Sequence, residues 1–84
     1  MDTPMEAKYV IVDYAYPIIA CGALNHSDLA KDKNVTSAGF CTIEMTKTGV
    51  LVDCFGGSST LKMSHHQDDR IMIKVFLDGM MGKI

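Results

Sequence analysis

Residues 39–55 read GFCTIEMTKTGVLVDCF, and their pattern decides the fold. Cys41, Ile43 and Met45 alternate with Thr42 and Glu44, and Val50, Val52 and Cys54 alternate with Leu51, Asp53 and Phe55. Side chains of a strand point to opposite faces with a period of two, so each run presents one apolar face. Thr46-Lys47-Thr48-Gly49 lies between the runs, and Gly49 suits the positive-φ position of a hairpin loop closed by a bulge. The stretch is therefore a β-hairpin, and its apolar face needs a cover.

Upstream, residues 8–14 (KYVIVDY) are rich in β-branched and aromatic residues and predict another strand. Pro17 has no N–H to donate and is expected to break or bend the ladder. Residues 18–24 predict a short second strand ending near Gly22. Residues 25–38 read as a connection with at most one helical turn, capped by Asn25 or Ser27, followed by the solvated run Lys31-Asp32-Lys33-Asn34.

Downstream, Gly56 and Gly57 interrupt the hairpin, and residues 58–63 are expected to resume as a fourth strand. Ser64-His65-His66-Gln67 has the S-x-x-Q spacing of a capping box. Asp68 and Asp69 then fall in a first helical turn, where the helix dipole favours negative charge. Apolar residues at 71, 72, 75, 76 and 80 form a stripe of helical period, and Gly82 supplies a stop. The run Ile71-Met72-Ile73-Lys74-Val75 also suits a strand by composition, and the cap signal favours helix. The whole predicts an α+β fold: a small antiparallel sheet of three to four strands with one C-terminal helix packed on one face.

The 84 residues make one domain, 1–84. Trp is absent and the hydrophobic fraction is 48%, so the core draws on aliphatic residues and seven methionines. The last helix carries more apolar surface than one sheet face covers, which points to a homo-oligomer or a protein partner. Net charge is −2 and Arg70 is the one arginine, a balance that argues against nucleic-acid binding, which needs a basic face. The acidic residues near the N-terminus argue against a secretory signal, and residues 14–24 are too short to span a bilayer. Three cysteines without regular spacing suit a reducing, cytoplasmic compartment with no membrane association.

The segment from Cys54 to Asp69 gathers the residue types of chemistry. Cys54 with His65 or His66 and Asp68 has the components of a thiol nucleophile and its base. Its strand position instead makes Cys54 a small core residue, and no catalytic residues are assigned. Gly56, Gly57, Ser58, Ser59 and Thr60 form the alternative ligand-binding reading, a loop whose backbone N–H groups hold a phosphorylated or nucleotide ligand. The Cys and His spacings match no structural zinc pattern, so neither a metal nor a cofactor is expected. The candidate interface comprises His26 and Asp28 in the 25–38 connection, and Met72, Phe76 and Met80 on the last helix.

The stretches YVIVD, AYPII, HSDLA and TSAGF resemble small accessory proteins of bacteriophages and prophages. Some such proteins, anti-CRISPR proteins among them, bind and disable host defence machinery. The resemblance implies a non-enzymatic inhibitor acting in the host cytoplasm, and carries no site residues with it.

Overall fold

The computed structural model describes residues 5–20 and 25–81. Strands β1 (Met5–Val12) and β2 (Tyr16–Ala20) form one hairpin, and β3 (Val35–Thr46) and β4 (Gly49–Phe55) form the other. β1 also pairs with β3, giving a four-stranded antiparallel sheet in the order β2-β1-β3-β4. Helix α1 (His26–Ala30) links the hairpins. Strands β5 (Gly57–Ser58) and β6 (Met63–Ser64) form a separate two-stranded ladder before helix α2 (Asp69–Met81).

The two-residue period of the strands sorts the core into two layers. Ala7, Tyr9 and Ile11 of β1, Cys41 and Ile43 of β3, and Val50 and Val52 of β4 pack with Ile73 of α2. On the other face Val10, Ala38 and Leu29 of α1 meet Val12, Ile18, Val35, Leu61 and Met63. The sheet is thus covered on both sides, by α2 on one and by α1 with the β5–β6 segment on the other.

The expected α+β architecture and the C-terminal helix are present, with several corrections. β3 begins at Val35, four residues before the expected start, because Val35, Ser37 and Ala38 pair with Val12, Ile11 and Val10 of β1. Residues 58–63 do not rejoin the main sheet; Ser58 and Met63 pair across a turn instead. Pro17 sits within edge strand β2 opposite Ile11 and does not end the ladder. Gly49 has φ +140°, as its hairpin position requires, but the β3–β4 register runs without a bulge. Ser64 belongs to β6, so it does not cap α2. The chain's capping box is at α1, where Asn25 accepts from the Asp28 N–H and the Asp28 carboxylate accepts from the Asn25 N–H. The end of the predicted second strand, residues 21–24, and the Gly82 stop lie outside the described residues.

Candidate functional site

The orientation of α2 depends on a carboxylate in its first turn. Asp69 is 2% exposed and lies 32 residues from one partner and 60 from another. The Tyr9 hydroxyl donates to Oδ2 at 2.6 Å, the Ser37 hydroxyl donates to Oδ1 at 3.0 Å, and the His66 N–H donates to Oδ2 at 2.8 Å. Burying a carboxylate is costly unless its oxygens are hydrogen-bonded, and here three donors meet it. Its place at the positive end of the helix dipole adds to this. Two strands and the approach to α2 thereby converge on one side chain.

Gly39 makes this convergence possible. It stands opposite Tyr9 in the β1–β3 register, and a Cβ there would lie 2.8 Å from the Phe55 carbonyl oxygen and 3.3 Å from the Tyr9 ring. Burial, followed by the bond to Asp69, pushes the Tyr9 phenol far above its ordinary value. The Cys54 thiol lies within hydrogen-bond reach of the same phenol. Burial pushes the Cys54 thiol up to about 11, so at neutral pH it is a thiol and not the thiolate a nucleophile needs.

Fixed in this way, α2 presents four rows of side chains at i, i+4 spacing. Asp69, Ile73 and Leu77 face the sheet. Arg70, Lys74 and Asp78 form a polar row beside the β3–β4 hairpin, with an ion pair between Lys74 and Asp78. The Asp78 carboxylate lies beside Gly49 at the start of β4 and, chiefly through Lys74, is held below the usual carboxylate range. The other two rows are apolar: the first two of Met72, Phe76 and Met80 approach β2, and the first two of Ile71, Val75 and Gly79 stand at the groove alongside it. Val75 is 65% exposed, and Ile71, Phe76 and Met80 are also exposed.

Between these rows and the start of β2 runs a groove of about 540 Å³, lined by Ala15, Tyr16, Pro17, Ile71, Val75 and Phe76 among others. The β1–β2 turn forms its rim. Asp13 and Tyr14 both have positive φ, +55° and +59°, giving a primed turn whose twist matches the hairpin. That region is unfavourable for a tyrosine by about 1–2 kcal/mol. Bonds from Asp13 N–H to the Asn34 carbonyl at 2.9 Å and from Tyr14 N–H to Thr36 Oγ1 at 3.0 Å hold it there. The Tyr14 ring is left exposed.

The candidate interface residues divide. Met72 packs partly into the core, while Phe76 and Met80 lie on the exposed face of α2. His26 does not belong to a surface: it is 6% exposed, its Nε2 bonds the Gly39 carbonyl at 2.6 Å, and its ring meets Phe40 edge-on. Asp28 is exposed but is engaged in its capping box. Sequence reading missed Ile71, Val75, Tyr14 and Tyr16 as surface residues. The outward row of the stripe at 71 and 75 was the signal available for the first two.

Within the Gly56–Thr60 segment Gly57 and Ser58 are held by packing, while Ser59 and Thr60 are exposed. A Cβ on Gly57 would lie 2.5 Å from the Met63 carbonyl oxygen, and Ser58 is buried with its Oγ accepting from the Leu61 N–H. The Gly56 carbonyl accepts from the His65 N–H and bonds His65 Nδ1. His65 and His66 precede α2 and do not occupy its first turn. With Asp53, Cys54, Gln67 and Arg70 they line a separate cleft of about 270 Å³. Among the described residues no three His, Cys, Asp or Glu side chains are grouped to hold a metal ion, and no helix is long and apolar enough to cross a membrane. No protein-family model, curated protein or solved structure matches the chain.

Proposed function

We propose that the protein is a non-enzymatic interaction protein that docks another protein surface on the apolar face of α2 and the groove beside it. The observation that carries this reading is the pair of uncharged rows, Ile71 with Val75 and Phe76 with Met80, left in solvent after the monomer has filled its core. Contiguous apolar surface of this kind marks interaction sites on small domains. Methionines and an aromatic at helical spacing provide adaptable contacts, and the groove accepts an inserted side chain. The raised Cys54 thiol does not supply a competing nucleophile. Under the resemblance to phage accessory proteins, the ultimate target is a host defence protein in the cytoplasm and the outcome is inhibition.

A photo-crosslinking amino acid placed at Val75 tests the surface, with the same group at Leu51, an exposed apolar residue of β4, as control. Discrete adducts through position 75 and not through 51 are expected after irradiation in bacterial cells. Equal labelling through both positions, or none through 75, would overturn the reading.

A further inference from the structure

We propose that Cys41 and Cys54 form a thiol–disulfide exchange site: a small disulfide-bearing molecule enters at Cys54, and the two cysteines then close a bond between β3 and β4. The site stands apart from the docking face and does not depend on what α2 binds.

Register is the first reason. Cys41 of β3 and Cys54 of β4 are direct cross-strand partners, in a ladder that runs from Thr46 and Gly49 to Phe40 and Phe55. Directly opposed residues of antiparallel strands have Cα atoms about 4.5 or 5.5 Å apart, according to whether the pair exchanges hydrogen bonds. Both values fall within the roughly 4.4–6.8 Å that a disulfide spans. Opposed side chains leave the sheet on the same face, and here Cys54 packs against the core cluster that contains Cys41. The two are the one pair of thiols in this ladder, and the structure holds them as thiols.

Access is the second reason. Cys41 is fully buried, whereas Cys54 lines the cleft of about 270 Å³ with Asp53, His65, His66, Gln67 and Arg70. Reach therefore sets the order: Cys54 receives the reagent and Cys41 resolves it. Arg70 makes no ion pair among the described residues, so its guanidinium suits a disulfide that carries carboxylates, as oxidised glutathione does.

The exchange balances without any further oxidant. Cys54 loses its proton to solvent and its thiolate attacks one sulfur of the small disulfide; that S–S bond breaks, and the departing thiolate takes up a proton. Cys41 then gives up its proton and attacks the Cys54 sulfur, and the second small thiol leaves in the same way. Two protein thiols are oxidised and one small disulfide is reduced to two thiols. Burial pushes the Cys54 thiol up, aided by Asp69 and Asp53 and opposed by the bond to Tyr9 and by Arg70. A small thiolate fraction reacts at neutral pH, so the step is a slow modification and not a turnover, and it should speed up about tenfold per unit toward pH 9.

The test incubates the full reduced chain, freed of reductant, with glutathione disulfide at about pH 8.5, where more thiolate is present. The remaining thiols are capped with N-ethylmaleimide in acid, and the chain is digested with trypsin without reduction. Lysines 33, 47 and 62 put Cys21, Cys41 and Cys54 on three separate peptides. Peptide 34–47 joined to peptide 48–62 is expected, with unchanged far-UV circular dichroism. Cys41→Ser is expected to stop with one glutathionyl group on Cys54, and Cys54→Ser to leave Cys41 unmodified while it remains folded. The wild-type peptide map decides the matter if either variant unfolds. A wild-type chain that keeps both thiols overturns the inference, as does a lasting glutathionyl group on Cys54 with no link to Cys41. A link through Cys21 in place of the 41–54 bond, or one that forms only in urea, overturns it as well.

Discussion

Replacing Tyr9 by Phe probes the device that sets α2 on the sheet. The substitution keeps the ring and its packing, so no cavity forms, and it deletes one donor to a carboxylate that is 2% exposed. A hydrogen bond to a charged group contributes about 1.5–3 kcal/mol. The 2.6 Å contact and the burial of both partners place this one within that range, at about 2 kcal/mol. In a domain of this length each kcal/mol moves the midpoint by about 4–8 °C, so the melting temperature should fall by about 8–16 °C. The chain has no Trp, so circular dichroism at 222 nm is the suitable probe, at matched protein concentration. Ser37→Ala removes the donor to the other oxygen, and the double variant closes a cycle. Since both donors serve one carboxylate, the combined loss should differ from the sum. A fall of less than about 2 °C for Tyr9→Phe, near 0.5 kcal/mol, would show that Asp69 does not depend on the phenol and that the network does not anchor α2.

The Cys54 thiol, pushed from its ordinary value near 9 up to about 11 by burial, should react slowly with iodoacetamide at pH 7. Rapid alkylation there would contradict its buried setting. In linkage terms its raised value stabilises the fold fully below about pH 9. That contribution is lost as pH rises toward 11, and Cys54→Ala should flatten the alkaline fall in stability over this window. Gly57→Ala should cost about 1–3 kcal/mol, read from urea denaturation, because the new methyl meets the Met63 carbonyl and Ser64 Cα. An unchanged midpoint would mean that β5 and β6 do not approach this closely.

Much of the architecture was legible because local pattern and tertiary environment agree. The β3–β4 hairpin has clean alternation around a glycine turn, and the α2 stripe has helical period. Residues 35–38 escaped because Val35, Thr36, Ser37 and Ala38 do not alternate in polarity; Ser37 turns inward to Asp69, and Ala38 is small because α1 lies close. The S-x-x-Q spacing at Ser64 misled because the same letters serve a strand and then a turn. At α1 the box is built by Asn25 and Asp28, where the acceptor at the fourth position is Asp. Asp69 read as a solvated first-turn acid, since nothing within helical reach of it hints at Tyr9 or Ser37. Its role exists only once β1 and β3 pair. His26 misread for the same reason: a polar residue in a connection looks exposed until the Gly39 carbonyl is brought above it.

The two outermost strands also bear on how the molecule can grow. An open sheet offers a row of backbone groups at each border, and such borders recruit further strands into fibres. In β2 that border is interrupted by Pro17, which has no N–H to offer. In β4 the Asp78 carboxylate reaches over from α2 to the start of the strand at Gly49. A proline blunts one rim and a helix carboxylate the other. Assembly by strand addition is thus hindered, and the border that flanks the groove beside α2 offers no complete row of donors to a further strand.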